Sequence, residues 1–246
     1  MGLAIRLAAL ALLVAFLAMP DWFAGVFQPL TRNNQPAIYT QTSLLALTLN
    51  HLWIVAIATA ASTVVAIGLA IFVTRPAGAE FLPLSRSLAN IGQTFPPVAV
   101  LAIAVPILGF GTAPTLVALF LYGLLPIFEN ALAGLTNLPP AVTDAARGMG
   151  MTDSQRLMAV ELPLALPVML AGVRLSVVIA LATATIGSTV AASTLGEVII
   201  AGLLSSNTAY VLQGGLVVAV LAVLIYDALL ALERMLTRRT GQGRPT

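Results

Sequence analysis

The chain has 246 residues, of which 59% are apolar and only 8% charged, with a net charge of +2 and a mean hydropathy of +1.02. Soluble domains carry roughly 25% charged residues, so a water-soluble globule is excluded and a lipid bilayer is the expected solvent. The lack of Cys excludes thiol catalysis, thiolate metal sites and disulfides; the 11 basic residues are all Arg, which excludes a lysine-type P-loop and a Schiff-base lysine; and the single His excludes a multi-histidine metal or haem site.

A spanning helix needs roughly 20 mostly apolar residues. The first candidate, Leu3 to Met19, is short and carries Arg6 at its entrance. A cleaved signal peptide is the rival reading, and cleavage would leave five crossings and an outer N-terminus. Ala18-Met19-Pro20 is a poor cleavage site, so a retained helix is favoured. Residues 20–42, with Arg32-Asn33-Asn34-Gln35, read as a polar outer loop. Trp22 and Trp53 flank it, and interfacial indoles and ordinary packing are equal readings. The second span is His51 to Thr74, free of charge. His51 is expected to take an interfacial packing role near the outer end, with pH sensing as the lesser alternative.

From Ser87 to Phe128 there is no charge, and the length exceeds one crossing. Gly109 to Pro114 supplies a turn, predicting helices over about 87–108 and 113–131. Pro96, Pro97 and Pro106 are positioned to break or kink the first of these. The fifth span is expected over about Leu164 to Val190 and the sixth over about Leu212 to Leu232. Between them, Leu195 to Tyr210 contains Glu197 and Ser205-Ser206-Asn207, and fits a short outer helix or re-entrant segment better than a crossing. The expected partition is an N-terminal helix and outer loop (1–43), a membrane domain (44–233) and a basic tail (234–246).

Orientation follows the arginines. With both termini inside, the inner segments hold Arg6, Arg75, Arg86, Arg147, Arg156, Arg234, Arg238, Arg239 and Arg244, and the outer segments only Arg32. Arg174 lies near the start of span five, with Glu161 and Glu129 as candidate partners. For Asp227, near Glu233 and Arg234, solvation at a helix end is favoured over an ion pathway. The positive charge then reflects inner-leaflet anchoring rather than nucleic-acid binding.

Residues 132–163 form the longest inner loop. Pro139-Pro140 can open a helix, Ala145 and Ala146 favour it, and Gly148 and Gly150 stop it. Thr152 with Gln155 is a capping-box pattern that starts a second helix. Pro163 ends that helix or marks entry into the next span. The small Ala145 and Ala146 side chains would let another protein approach the backbone closely, so the loop is either a docking piece or a plain connection.

Asp144-Ala145-Ala146, Gly150 four positions on, then Val160 and Leu162-Pro163, resembles the EAA loop of ABC-importer membrane subunits. The family pattern is an acidic residue, two alanines, a glycine four further on, and after a fixed gap an aliphatic residue, one free position and Leu-Pro. Every spacing matches; Asp144 stands where the family usually has Glu. The resemblance covers residues 44–233. It implies an all-α integral membrane protein of about six transmembrane helices with the type I ABC-importer (MetI-like) permease fold. Asn50-His51-Leu52-Trp53, Gln93-Thr94 with Pro96, Leu121 to Pro126, Glu161 to Pro167 and Ala171-Gly172-Val173-Arg174 look like the osmoprotectant permeases for glycine betaine, choline and carnitine. Glu129-Asn130 departs, since a basic residue is expected before the Asn.

The resemblance implies a permease in a prokaryotic plasma membrane, not an enzyme. Its expected partners are a cytoplasmic ABC ATPase dimer, a second identical or similar permease and an external solute-binding protein, separate from this chain. It implies no cofactor here, with ATP and Mg bound by the ATPase. Coupling would run through Asp144, Ala145, Ala146, Gly150, Val160, Leu162 and Pro163. Candidates for a translocation path are Gln93, Thr94, Thr183, Thr185 and Ser188, although hydrogen bonding within or between helices is the favoured reading of these five. With 6% aromatic residues and no cage cluster, selectivity is expected in the binding protein. The alternatives are import of another small solute, such as an amino acid or oxyanion, an ion-coupled secondary transporter and an intramembrane enzyme. The last two are disfavoured because the mid-span regions lack carboxylates and catalytic pairs.

Overall fold

The computed structural model describes residues 2–32 and 34–239, and every regular element among them is helical. Besides a short α-helical turn, Ala24–Phe27, and several 3₁₀ turns, the helices are α1 (Leu3–Ala18), α2 (Leu44–Val73), α3 (Leu82–Thr94), α4 (Pro97–Leu108), α5 (Thr112–Thr136), α6 (Pro140–Gly148), α7 (Asp153–Arg156), α8 (Leu162–Thr183), α9 (Gly196–Leu204) and α10 (Thr208–Arg239). Four stretches are long and apolar enough to cross a bilayer, or up to six when the two bent pairs are included. Residues 240–246, with Arg244, and Asn33 of the outer loop lie outside the described residues.

Several boundaries move outward from the sequence expectation. Span two starts at Leu44, seven residues before His51, because Ser43 caps it: the Ser43 hydroxyl accepts from the Ala46 N–H at 3.4 Å. The helix expected over 87–108 is two helices, broken at Phe95-Pro96. Consecutive prolines push each preceding residue into extended backbone, and Pro96 has ψ 140°. Pro106 and Pro126 instead lie inside α4 and α5. The fifth span ends as α-helix at Thr183 and continues as a 3₁₀ turn, Ala184–Val190. The short helix expected between spans five and six is α9. The last helix is longer than expected at both ends.

The chain gathers into two compact units. Unit 1 comprises Met1–Ala58, Phe95–Leu119 and Val178–Asp227. Its core joins Leu13, Phe16, Phe27, Tyr39, Leu47, Leu195, Val198 and Val217. Arg6 of α1 pairs with Asp227 of α10 at 3.0 Å, so Asp227 is an ion-pair partner, not a solvated helix end. His51 is fully buried, and its Nε2 donates to the Leu181 carbonyl at 3.1 Å, so it is a core anchor for the end of α8 instead of an interfacial residue. Trp22 and Trp53 are both exposed, as interfacial rings would be.

Unit 2 comprises Thr59–Thr94, Phe120–Val177 and Ala228–Thr246. Ala66, Ala70, Ile127, Phe128, Ala131, Ala165 and Met169 form its core. Small residues let α2, α5 and α8 approach closely: a Cβ on Gly123 would sit 2.7 Å from Ser62 Oγ and 2.8 Å from Ser176 Oγ. Arg174 pairs with Glu233 of α10 at 2.9 Å, not with Glu161 or Glu129. Glu129 is taken by Arg86, and Glu161 by Arg75 and Arg156.

Candidate functional site

The loop of unit 2 forms as its punctuation dictates. Pro140 opens α6, and Gly150 turns the chain at φ +75°, a conformation open to glycine at little cost. Thr152 completes a capping box: its hydroxyl accepts from the Gln155 N–H at 3.3 Å, and Gln155 Oε1 accepts from the Thr152 N–H at 2.9 Å. The second helix does not stop at Pro163. α7 runs through a π-helical turn, Leu157–Glu161, directly into α8. In a regular helix the Pro163 ring would crowd the carbonyl four residues back, and the wider turn lies just ahead of it.

The loop's residues divide by exposure. Ala146 is buried inside unit 2, and its carbonyl accepts from the Met151 N–H at 3.2 Å. It therefore packs the loop on itself and is not open to a partner, contrary to the expectation for both alanines. Ala145 is exposed, as are Val142 and Met149, which stand three residues before and four after it. The spacing sets these three along one helix face. Met149 is 70% exposed, and Met158 on the following segment is 68% exposed. Asp144 is also exposed and pairs with Arg147, at 3.4 Å. Val160, Leu162 and Pro163 are half-buried, and Leu162 packs against the unit 2 core.

Glu161, a residue the sequence reading did not place in the coupling machinery, fastens this loop. Its side chain is 8% exposed. It accepts from Arg75, just past the end of α2, and from Arg156 Nε at 2.7 Å. Arg156 also reaches Asp153 at 2.9 Å. One carboxylate thus ties the α7 segment to the end of α2, while the chain itself ties it to α8. A displacement of the loop acts on two spans at once.

Of the five path candidates, Gln93 and Thr94 belong to unit 2, and Thr183, Thr185 and Ser188 to unit 1. Thr94 and Thr185 donate to the carbonyls of Ile91 and Ala182, each three residues back, at 2.8 and 2.7 Å. Gln93 donates to the Tyr122 carbonyl at 3.1 Å, and Thr183 is half-buried. Ser188 borders a cavity of about 610 Å³ in unit 1.

That cavity is closed on one side by the segment 35–42. Gln35 Nε2 donates to the Ser205 carbonyl at 2.7 Å, Asn207 Nδ2 to Pro36 at 2.9 Å, and Gln213 Nε2 to Ala37 at 2.7 Å. Glu197 of α9 lies in the wall. Its Oε1 accepts from both the Tyr39 hydroxyl and the Thr42 hydroxyl, each at 2.7 Å. Burial, and then the bond to Glu197, push the Tyr39 phenol up to about 12, so it stays a donor at any physiological pH. The only sequence signal for this arrangement was an isolated acid in an apolar run.

The sequence matches the family described as "Binding-protein-dependent transport system inner membrane component" over residues 66–242. It is 42% identical over 191 residues to the osmoprotectant import permease protein OsmY of Salmonella typhimurium (strain LT2), covering 78% of this chain and 80% of that protein. It is 36% identical to the glycine betaine/carnitine/choline transport system permease protein OpuCB of Bacillus subtilis (strain 168), covering 85% and 97%. In structure it resembles a chain of the MetNI methionine ABC transporter in inward-facing conformations, with a TM-score of 0.71 at 22% identity, over 79% of this chain and 96% of that one.

Proposed function

The chain belongs to the family of binding-protein-dependent transport system inner membrane components, and from that premise we propose that it carries osmoprotectants such as glycine betaine, choline or carnitine through the membrane. It is a multi-pass permease subunit of an ABC importer with the type I permease fold. The solute class is supported by the names of relatives at 36 to 42% identity. The free energy for uphill import enters from a separate cytoplasmic ATPase dimer, which binds ATP and Mg. A second permease subunit and an external solute-binding protein complete the assembly. Both termini face the cytosol, which puts loop 132–163 beside the ATPase and α9 on the outer side, in line with the arginine bias.

The observation that carries the coupling role is the exposed stripe of Val142, Ala145 and Met149, on α6 and at its C-terminal end, in a loop whose next segment, α7, is tied to the end of α2 through Glu161 and continues into α8. Thioether and small side chains suit a surface that must stay in contact while it moves. Asp144, Ala145 and Gly150 shape the contact face. Ala146, Val160, Leu162 and Pro163 hold that face on the permease. Ala145→Glu is expected to abolish ATP-driven betaine uptake in proteoliposomes and to release the ATPase during purification. Wild-type uptake by that variant, with the ATPase retained, would remove the docking role. A charge at Ala146 would instead test folding, since that side chain is buried.

A further inference from the structure

We propose that the unit 1 cavity around Glu197 is a subsite for a quaternary ammonium head group, a passing station for the solute on the permease itself. The inference deepens the osmoprotectant reading and rests on it for the identity of the transported solute. The cavity, at about 610 Å³, is far larger than a single trimethylammonium group and within the ordinary range for small-molecule sites.

The wall chemistry selects the ligand. Glu197 has no ion-pair partner among the described residues, whereas Glu129, Glu161, Asp227 and Glu233 each have an arginine. Its Oε1 is held by two neutral hydroxyls, so the carboxylate is fixed in place without being neutralised. Oε2 retains its lone pairs. Beside it stand Tyr210, Ile200 and Leu204. The Tyr210 ring is steadied edge-on by Tyr39 at a centroid distance of 5.4 Å. A methylated cation donates no hydrogen bonds. It needs a negative charge and apolar or aromatic walls, which this cavity supplies together. The same lining carries Gln35, Gln41, Ser188, Ser205 and Asn207, whose amides and hydroxyls suit the polar end of such a solute. A metal ion would call for more ligands than one carboxylate, and no cluster of three ligating side chains occurs among the described residues. The hydrogen bonds that pin segment 35–42 hold these walls in place before a ligand arrives.

The test uses the whole permease–ATPase complex in nanodiscs, without nucleotide or binding protein. Tetramethylammonium is the probe and tert-butanol its uncharged counterpart, both followed by saturation-transfer NMR. Wild type is expected to bind tetramethylammonium and to ignore tert-butanol. Glu197→Gln keeps an acceptor for Tyr39 and Thr42 while removing the charge, and is expected to weaken binding by about fivefold, the size of one half-exposed charge pair. Leu204→Lys leaves Glu197 and its bonds intact, alters a side chain that is 84% exposed, and is expected to weaken binding as well. Unchanged binding in both variants, or equal binding of tert-butanol, would overturn the subsite. So would variants that weaken only the grip of the binding protein, which would reassign Glu197 to a protein contact. If the assembled transporter imports no quaternary ammonium solute while tetramethylammonium binding still follows Glu197, the osmoprotectant reading fails and the subsite stands. Betaine uptake with an unaltered KM in both variants overturns the subsite and spares that reading.

Discussion

Two carboxylates set the two units apart. Glu161 of unit 2 is 8% exposed and sits between two guanidiniums, Arg75 and Arg156. Glu197 of unit 1 is half-buried and sits between two hydroxyls, Tyr39 and Thr42. The first arrangement neutralises its charge twice over and has no need of a ligand. The second orients its charge and leaves it in force. In a chain with only nine acidic residues, the difference separates a fastening from a site. A carboxylate closed off by arginines transmits force, while one held by neutral donors beside a cavity can receive a cation.

The contrast is tested hardest at Glu161. Glu161→Gln leaves Arg75 and Arg156 without their common counterion in a mostly buried setting. Breaking such an arrangement by removing one partner typically costs about 3 to 5 kcal/mol. The variant is expected to unfold at a clearly lower temperature in detergent and to lose uptake. If it stays as stable as wild type, the fastening role of Glu161 is wrong, and the coupling route to α2 goes with it.

The loop around Glu161 was largely legible in the sequence, and its ion pairs were not. Pro139-Pro140, Gly148, Gly150 and the Thr152–Gln155 capping box are local signals, each decided within a few residues, and each is realised. The partners of Glu161, Glu129 and Arg174 depend on which faces of distant helices meet. In a soluble protein, apolar periodicity would reveal those faces. In lipid, both the packed and the outward faces are apolar, so the period carries little information: Val64 and Ile107 are highly exposed, while Ile54 and Ile127 are buried. The same blindness hid the Glu197 site. Tyr39 and Thr42 lie 158 and 155 residues from Glu197 in sequence, and nothing local in the outer loop marks them as its neighbours.

Tyr39 sharpens the comparison from the side of unit 1. Its folded-state pKa, about 12, lies above the ordinary value of 10. The phenol therefore contributes stability that is fully present below pH 10 and lost as the pH rises towards 12. The unfolded chain releases this proton first, so stability falls with rising pH across that window. The full contribution is about 2 to 3 kcal/mol by linkage. Tyr39→Phe removes the titrating group, so its stability should fall less steeply than wild type between pH 10 and 12 in alkaline unfolding followed by circular dichroism. Parallel curves for the two proteins would mean that the hydroxyl is not held by Glu197, and that the carboxylate is less well oriented than the geometry indicates.

The smallest effect is expected at Arg86 and Glu129, and this pair decides what the larger effects mean. Their contact is bidentate, with Nε to Oε1 at 2.6 Å and Nη2 to Oε2 at 3.1 Å, so its geometry is as good as that around Glu161. Exposure is what differs: 52% and 38% of the two side chains remain accessible. Solvent at that exposure screens the attraction and rehydrates either partner once the other is gone. Arg86→Gln should therefore leave the unfolding temperature in detergent nearly unchanged, and uptake with it. A loss comparable to that of Glu161→Gln would show that any arginine–carboxylate pair in this chain is structurally essential. Burial would then no longer explain why Glu161 fastens the coupling loop, and the absence of an arginine at Glu197 would have to be read as a cost to unit 1 and not as an opening for a ligand.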